Sequence, residues 1–355
     1  MSFEKNINPV HQKLIVRDVV AETPTLSTFR LCSPDDSPLI PFKPGQHLCV
    51  NVQIGKTHTR RAYSICSSPA LAEKGEYRIS VENFPGSFVA DYIHKKFKPG
   101  FEADITAPFG ENLCFEKGRD TDEIVCIAGG SGITPFLSLA RAVYGGLESC
   151  DMTIIYGNET YDSAPYKDLL RELVRCGHVK VIYALSDEER PGCIHGFVDR
   201  NIIREYCIKD GFKDTFICGP PAMYAFIDEE LKAVELPHKY IHHGVVAPPH
   251  DLASQPDYEG NPDAEYTLTV MQGNSKFDIP CRANETLLVA LERGGVVVKS
   301  NCRAGECGLC RSKIHGGEIY IPDAKAATLT YEVGIACIHP CYTFPMSDCV
   351  IEVPR

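Results

Sequence analysis

The feature that most constrains this chain is a run of three closely spaced cysteines near its C-terminal end. Cys302, Cys307 and Cys310 follow the spacing C-x4-C-x2-C, and Cys337 lies further along the chain. Four thiolates at this spacing complete the coordination of the two irons of a 2Fe–2S cluster. Zinc also takes four cysteine ligands, so the spacing alone leaves two kinds of metal centre open. A 2Fe–2S cluster accepts one electron at a time, and the rest of the chain is then expected to supply it.

Composition limits the classes of protein to which the chain can belong. Its 355 residues are enough for two or three domains, and 44% of them are hydrophobic, which suits packed cores. The net charge of −11 argues against a nucleic-acid partner. No apolar run approaches the length of a membrane span, and the first residues lack a signal-peptide pattern. We therefore expect a cytoplasmic protein whose 17 cysteines stay reduced.

Two folds are predicted before the cysteine-rich segment. Short apolar strands separated by Pro-Gly turns are typical of an antiparallel β-barrel, and we assign this first domain to residues 1–110. Residues 111–245 alternate strands with helical segments, which predicts an α/β domain with a parallel sheet. Residues 246–264 are rich in proline and acids and are interpreted as a solvated linker. Residues 265–355 are predicted to form a third domain of short strands around one helix.

Two glycine-containing loops follow strands of the predicted parallel sheet. The first lies between a buried strand and a helix, where backbone amides and the helix N-terminus favour a pyrophosphate, and Thr134 is expected to cap that helix. Alone, this loop is equally typical of an ordinary strand–helix turn. The second loop ends another strand, and both strand ends are expected at the same edge of the sheet. The pair predicts a nucleotide site formed by Gly130, Gly132, Thr134, Cys218, Gly219, Pro220 and Met223.

A basic and aromatic segment lies on a strand of the predicted barrel. Arg61, Tyr63 and Ser64 belong to the sequence Arg-Arg-Ala-Tyr-Ser-Ile. A planar cofactor with an anionic tail needs a cation for its phosphates, an aromatic ring for its face and a hydroxyl group for its ring nitrogen. An exposed strand with a basic pair is an equally simple interpretation. From the residues alone, both interpretations stay open.

The segment resembles the flavin signature of the ferredoxin–NADP reductase superfamily, in which R-x-Y-S is followed by S-S-P. The turn at residues 85–87 resembles the phosphate-binding loop of the same family. The resemblance implies FAD, with Arg61 at the pyrophosphate, Tyr63 on the flavin face and Ser64 at flavin N5. One departure is Ala90, which stands where relatives carry Ser or Thr. The residues that the resemblance places at FAD are Arg61, Ala62, Tyr63, Ser64, Ile65, Gly86, Ser87, Phe88 and Val89.

The same resemblance assigns roles in the nucleotide domain. It places Cys218 near nicotinamide C4, where the thiol shapes the geometry of hydride transfer, so that Ser64 and Cys218 are the catalytic candidates. Glu159 stands where many relatives carry Arg, and a carboxylate there accepts from ribose hydroxyls and repels a 2′-phosphate. NADH is therefore expected over NADPH. The adjacent pair at residues 242–243 is interpreted as surface histidines, with Tyr240 as an alternative flavin neighbour.

The C-terminal domain resembles a plant-type ferredoxin, of α+β β-grasp fold, over its whole length. This resemblance favours a 2Fe–2S cluster over zinc. It also favours Cys337 as the fourth ligand over Cys341 and Cys349, since Ala-Cys-Ile-His-Pro resembles the final ligand segment of the family. The exposed rim from Arg303 to Leu309 is expected to be the docking face. The implied ligands are Cys302, Cys307, Cys310 and Cys337.

Together, the three modules imply an oxidoreductase that passes electrons from NADH through FAD and a 2Fe–2S cluster to a partner protein or terminal enzyme, such as an oxygenase. The domain order resembles that of hybrid-cluster-protein reductases, Rieske oxygenase reductases and phenylacetyl-CoA epoxidase reductases. The alternative is a reductase acting directly on a small-molecule or enzyme-bound substrate, as in deoxysugar synthesis. A regulatory protein without turnover is disfavoured by the intact cofactor motifs.

Overall fold

The structure, a computed structural model, describes residues 10–249, 251–322, 329–332 and 334–354. These residues form two compact units. One unit contains residues 10–50 and 63–245, and the other contains residues 51–62 and 246–354. The outer part of one hairpin of the first predicted domain therefore groups with the C-terminal domain.

An antiparallel sheet with one helix forms the first predicted domain. Its elements are β1 His11–Ala21, β2 Leu26–Cys32, β3 His47–Ile54, β4 Thr57–Ser64, β5 Glu76–Glu82, α1 Phe88–Lys96 and β6 Glu102–Thr106. The six strands lie in the order β4-β3-β6-β1-β2-β5. Ile65, directly after β4, bridges Ile79 of β5, so the two edges of the sheet meet. Tyr77, Ile79 and Val81 alternate along β5 with more polar residues and are fully buried, which places the core inside the curled sheet.

A parallel sheet covered by helices forms the second predicted domain. Its strands are β7 Glu123–Gly129, β8 Asp151–Asn158, β9 Val179–Leu185, β10 Ile194–His195, β11 Asp214–Cys218 and β12 Ile241–His243. Its helices are α2 Thr134–Tyr144, α3 Lys167–Leu173, α4 Arg200–Ile203 and α5 Pro221–Ala233. The strands lie in the order β10-β9-β8-β7-β11-β12. The continuous burial of residues 124–128 in β7 is typical of a central parallel strand with both faces covered.

Directional polar contacts join the barrel to the parallel-sheet domain within the first unit. The Tyr166 hydroxyl group lies 2.8 Å from Thr28 Oγ1 and 2.5 Å from Ser80 Oγ, in a buried cluster. Arg141 Nη1 donates to the carbonyl oxygen of Cys66 at 2.8 Å. Ser138 Oγ donates to the Ser67 carbonyl oxygen at 2.8 Å. The segment that directly follows β4 is thereby fixed against helix α2.

A mixed sheet around one helix forms the C-terminal domain. Its elements are β13 Glu265–Gln272, β14 Ser275–Arg282, α6 Leu287–Arg293, β15 Ser312–Gly316, β16 Ile319–Tyr320, β17 Thr330–Glu332, β18 Ile335–Ile338, β19 Phe344–Pro345 and β20 Cys349–Glu352. The larger sheet has the order β14-β13-β20-β15-β18-β17, and β16 pairs with β19. Leu268, Leu287, Leu291 and Ile351 lie in the core between this sheet and α6.

The predicted fold class is confirmed: an antiparallel barrel, a parallel α/β sheet and a small α+β domain follow one another along the chain. The exact domain limits stay a prediction. Among the described residues, no helix combines the length and the apolar character that a membrane crossing requires.

The interpretation of residues 246–264 as a purely solvated linker was wrong. Leu252 is buried in a cluster with Tyr320 and Phe344, and Tyr258 packs against it. Asp257 Oδ1 also accepts a hydrogen bond from the Tyr320 hydroxyl group at 2.7 Å. The prolines and acids of this segment outweighed its two apolar side chains, Leu252 and Tyr258, in the interpretation of the sequence. These two side chains pack against the C-terminal domain.

Candidate functional site

Two backbone loops meet at the carboxyl edge of the parallel sheet. Strands β7 and β11 are parallel neighbours, with Ala128 paired to Cys218 at their ends. A Cβ atom at Gly132 would lie 2.2 Å from the Cys218 carbonyl oxygen, and a Cβ atom at Gly129 would lie 2.5 Å from Met223 Sδ. The obstacle at Gly132 is backbone, so glycine is required there, whereas a methyl group at Gly129 would displace the Met223 side chain. The two predicted nucleotide loops are therefore brought together.

The first loop has an open rim above this contact. Gly130 has φ +51°, and a Cβ atom there would meet nothing within 4 Å. Its carbonyl oxygen accepts a hydrogen bond from the Tyr156 hydroxyl group at 3.0 Å, which fixes the loop on strand β8. This glycine-lined rim at the start of α2 has the shape and the dipole that suit a dinucleotide pyrophosphate.

The expected capping role of Thr134 was wrong. A 3-10 turn covers residues 130–133, and Ile133 is the residue before α2. Thr134 is the first residue of the helix, and its hydroxyl group donates to the Ser131 carbonyl oxygen at 3.0 Å. Its hydroxyl group thus stabilises the preceding 3-10 turn and does not cap the first amides of helix α2.

Cys218 is a neutral thiol in this environment. Burial raises its pKa to about 11, and a hydrogen bond with Tyr224 opposes the shift. Since the thiolate is the nucleophilic form, this thiol is unreactive near neutral pH. The structure thus agrees with a role in shaping the nucleotide site.

Glu159 directly follows β8, the strand beside β7, and its side chain is exposed. Its backbone carbonyl oxygen accepts from Asp187 N at 2.9 Å, which holds the loop in place. Because parallel strands end at one edge, Glu159 lies at the edge of the sheet that carries the glycine loops.

Strand β4 presents the predicted flavin residues as a half-buried run. Arg61, Ala62, Tyr63 and Ser64 are all partly exposed, in contrast to the fully buried Ile65. The N–H group of Ile65 donates to the Gln46 carbonyl oxygen at 3.0 Å. The Ile65 side chain thus belongs to the barrel core, and its contact with the cofactor stays a prediction. The other four residues keep part of their surface accessible, on alternate faces of the strand.

The turn before helix α1 offers backbone donors. Gly86 has φ +84°, and a Cβ atom there would meet nothing within 4 Å. Ser87 is the N-cap residue of α1, and its side chain makes no capping hydrogen bond to the described backbone. The amides of Phe88 and Val89 in the first turn therefore face a position that suits an anion. Val89 is buried, so it would contact a phosphate through its backbone alone.

The histidines at the end of the sheet are not a surface pair. His242 Nε2 lies 2.7 Å from Asp214 Oδ1, and its ring stacks on Phe216 with centroids 4.4 Å apart. His243 faces the other way, toward Asp228 at 3.2 Å. Tyr240 stacks on Phe212. The buried carboxylate of Asp214, absent from the sequence argument, explains the burial of His242.

The structure brings four thiols of the C-terminal domain together in one hydrogen-bonded group, Cys302, Cys307, Cys310 and Cys341. Cys307 hydrogen-bonds to Cys302, which lowers the pKa of Cys302, and Cys341 contributes to the same shift. Cys341 also hydrogen-bonds to Cys310 and lowers the pKa of that thiol. Gly305 N donates to Cys341 Sγ at 3.3 Å, and Cys307 N donates to Cys302 Sγ at 3.3 Å. Thiolates that accept backbone amide bonds are the ligands that an iron–sulfur cluster requires.

Cys337, the predicted fourth ligand, lies inside a strand. It belongs to strand β18, between Lys313 of β15 and Thr330 of β17, and its thiol donates to the Ile335 carbonyl oxygen at 3.9 Å. Cys341 follows the end of this strand, where His339 fixes the segment through a 2.8 Å contact with the Gly305 carbonyl oxygen. We therefore propose Cys341 as the fourth ligand in place of Cys337.

The structure changes the first end of the docking rim that was predicted from Arg303 to Leu309. The Arg303 side chain is mostly buried and pairs with Glu292 at 2.6 Å. Glu306 and Cys307 are exposed, and Gly308 and Leu309 are half-buried. The accessible rim of the cysteine loop therefore covers residues 306–309.

Comparison with known proteins matches each part of the chain to a domain family. A model of the oxidoreductase FAD-binding domain matches residues 12–113. A model of the oxidoreductase NAD-binding domain matches residues 126–229, and a model of the 2Fe-2S iron-sulfur cluster binding domain matches residues 270–342.

Relatives match over nearly the whole length. A component of the 1,2-phenylacetyl-CoA epoxidase of Escherichia coli is 26% identical over 88% of both chains. The NADH oxidoreductase HCR of Escherichia coli is 25% identical over 96% of this chain and 97% of the relative. The reductase component of the glycine betaine monooxygenase of Chromohalobacter salexigens is 25% identical over 94% and 93%. The solved structure of phthalate dioxygenase reductase superposes with a TM-score of 0.70 at 20% identity, covering 97% of this chain and 98% of that one, which shows the shared fold.

The fold and the sites define an oxidoreductase with flavin, pyridine-nucleotide and iron–sulfur domains on one chain. Within that class, the chain is similar over nearly its whole length to the NADH oxidoreductase HCR and to the glycine betaine monooxygenase reductase subunit, and its 2Fe-2S domain lies C-terminal to the flavin and nucleotide domains.

The contact between the two nucleotide loops generates a first prediction. Gly132→Ala places a methyl group against the Cys218 carbonyl oxygen and forces the loops apart. We expect the Kd for NADH to rise by about tenfold or more, since overpacking a close contact costs about 1–3 kcal/mol. Equilibrium titration of the FAD-loaded protein measures it. Gly316→Ala is the matched control, because its Cβ atom would make an ordinary 4.0 Å contact with Val350. Unchanged NADH affinity in Gly132→Ala would contradict the site.

The two candidate fourth ligands generate a second prediction. Both thiols are buried, so Cys341→Ala and Cys337→Ala are matched substitutions. We expect Cys341→Ala to lose the cluster, because one iron lacks a thiolate, whereas Cys337→Ala retains it. Iron and sulfide content with the visible spectrum distinguishes the two. The reverse outcome would restore Cys337.

Proposed function

We propose that the chain is an NADH-dependent electron-transfer reductase, which passes electrons through FAD and a 2Fe–2S cluster to a partner redox protein or terminal enzyme. The carrying observation is the group of four thiols, Cys302, Cys307, Cys310 and Cys341, with backbone amides that donate to Cys302 and Cys341. A flavin domain and a nucleotide domain alone suit many reductases. A one-electron centre on the same chain gives the electrons an exit to another protein.

Each domain contributes its own residues to this function. Arg61 would neutralise the FAD pyrophosphate together with the first amides of α1, and Tyr63 and Ser64 would position the ring system. Bound FAD supplies the conversion of a two-electron hydride into single electrons. The neutral Cys218 thiol and the Gly132 contact would hold the nicotinamide at the edge of the parallel sheet.

The acceptor is proposed to dock at the exposed rim, residues 306–309. Support comes from relatives whose names describe components of larger systems, among them an epoxidase and a monooxygenase. All 17 cysteines lie in the described part of the chain, and none of them forms a disulfide bond there. Such a number of reduced thiols supports a reducing compartment, and we propose the cytoplasm.

The proposal is tested by the visible spectrum of the anaerobically purified protein before and after NADH. We expect flavin and iron–sulfur absorption that both bleach, with electron paramagnetic resonance detecting the reduced cluster. A colourless protein that contains zinc would refute the electron-transfer function. Flavin bleaching with an unchanged oxidised cluster would favour direct reduction of a substrate at the flavin.

Nucleotide preference generates a further prediction. With Glu159 at the ribose, kcat/KM for NADH is expected to exceed that for NADPH by about tenfold or more, because the carboxylate repels a 2′-phosphate. Glu159→Arg is expected to bring the two values together. Glu172→Arg, a charge reversal at an exposed position of α3, is the matched control. An unchanged preference in Glu159→Arg would remove Glu159 from the site.

A further inference from the structure

A buried carboxylate lies at the C-terminal end of helix α6, in the unit formed by residues 51–62 and 246–354. Glu292 is 4% exposed and lies in the last turn of the helix. Its partners are Thr59 of strand β4, which is 7% exposed, and Arg303, whose side chain is 12% exposed. Arg303 directly follows the cluster ligand Cys302 along the chain. A charged pair is thus enclosed beside the cysteine loop.

The three side chains form a continuous hydrogen-bonded bridge. Arg303 Nη1 donates to Glu292 Oε1 at 2.6 Å, and Thr59 Oγ1 donates to Glu292 Oε2 at 2.9 Å. Thr59 Oγ1 also accepts from Arg61 Nη1 at 2.8 Å. The hydroxyl group therefore acts as both donor and acceptor, and both carboxylate oxygens have partners. The bridge connects the start of the cysteine loop to the strand that continues into the flavin run.

Glu292 and Arg303 are each in an unfavourable setting when considered alone. A carboxylate in the last turn of a helix lies at the negative end of the helix dipole. Its desolvation is costly unless a paired cation and hydrogen bonds compensate. Arg303 has φ +57°, a left-handed conformation that is uncommon outside glycine. Replacement of a buried ion pair by well-packed apolar residues is often neutral or stabilising, so this charged bridge is weak evidence for a role in stability and agrees with a role in geometry.

The hairpin that carries Thr59 meets the end of helix α6 at a second point. A Cβ atom built at Gly295 would lie 3.7 Å from the Lys56 carbonyl oxygen, which is van der Waals contact. Gly295 also has φ +82°, so the turn after the helix is shaped to pass close to the hairpin. Apolar or van der Waals contact has no preferred direction, so it alone would allow this turn to shift along the hairpin. The hydrogen bonds of Glu292 also fix the distance and the angle between the two segments.

We propose that Glu292 is a positioning residue that holds the cluster loop against strand β4 and so sets the rate of electron transfer from FAD to the 2Fe–2S cluster. The inference rests on the proposed function. In this step one electron would leave the reduced flavin for the cluster, and the accompanying flavin proton would be released to solvent. Transfer rates fall steeply with the distance between redox centres, so a small displacement of the loop slows the step. Glu292 acts through Arg303 and Thr59 and contacts no cofactor itself.

Three variants of the full-length holoprotein test the proposal. Glu292→Gln keeps the size of the side chain and removes its charge, whereas Thr59→Val keeps the shape and removes the hydroxyl group. We expect each to slow cluster reduction by about tenfold or more, the scale of effect that a displacement of about 1 Å produces, while NADH reduces the FAD at the wild-type rate. The matched control is Glu285→Gln, since Glu285 pairs with Arg293 of α6 at 2.5 Å and accepts from Arg282 of β14 instead of from β4.

Anaerobic stopped-flow absorbance after mixing with NADH resolves flavin reduction from cluster reduction, and FAD content, cluster content and cluster potential are measured on the same samples. Slow cluster reduction in both variants, at wild-type cofactor content and potential and with a normal control, supports the proposal. Equal rates in wild type and in fully loaded Thr59→Val overturn it, as does a slow rate that a lowered cluster potential fully explains. A wild-type cluster that NADH never reduces refutes the proposed function instead.

Discussion

Buried polar groups with complete sets of partners are the contacts on which the geometry within each of the two compact units depends. The Tyr166 hydroxyl group lies between Thr28 and Ser80, and so joins the barrel to the parallel-sheet domain. Glu292 joins the cysteine loop to strand β4 in the same way. Apolar burial is not directional and tolerates sliding, whereas a hydrogen bond fixes both distance and angle. Loss of one partner leaves the others buried and unsatisfied, so each contact strongly favours one geometry.

The parts of the molecule that follow from backbone chemistry were the most predictable from the sequence. The strand–helix alternation predicted two glycine loops at one edge of a parallel sheet, and Gly132 lies where a methyl group would overlap the Cys218 carbonyl oxygen. The short apolar strands separated by Pro-Gly turns predicted the barrel. In each case a local pattern in the chain has one dominant structural solution, so no knowledge of distant residues was needed.

The expectations that the structure corrects, or for which it leads to another proposal, share one cause: a partner distant in the sequence decides the role of a side chain. Cys337 and Cys341 are four residues apart, and pairing of β18 with β15 commits the first to a strand while the second follows the strand end. Arg303 was predicted to be exposed because nothing near it in the sequence indicates its partner. That partner, Glu292, lies on a separate helix. Leu252 lies in a proline-rich segment that was interpreted as solvated. Its buried contacts are with Tyr320 and Phe344, which are distant in the sequence. Long-range pairing of this kind leaves no local signal.

The buried partners also change the character of the docking face. Lys299, Arg303 and Arg311 lie close to the cysteine loop along the chain. In the structure Arg303 is neutralised by Glu292, and Arg311 donates to Thr330 Oγ1 at 2.8 Å. Two of the three cations thus serve the fold. The rim proposed for docking consists of one acid, one cysteine, one glycine and one leucine. A partner bound at this proposed rim would meet few exposed charges, so its affinity would depend only weakly on salt.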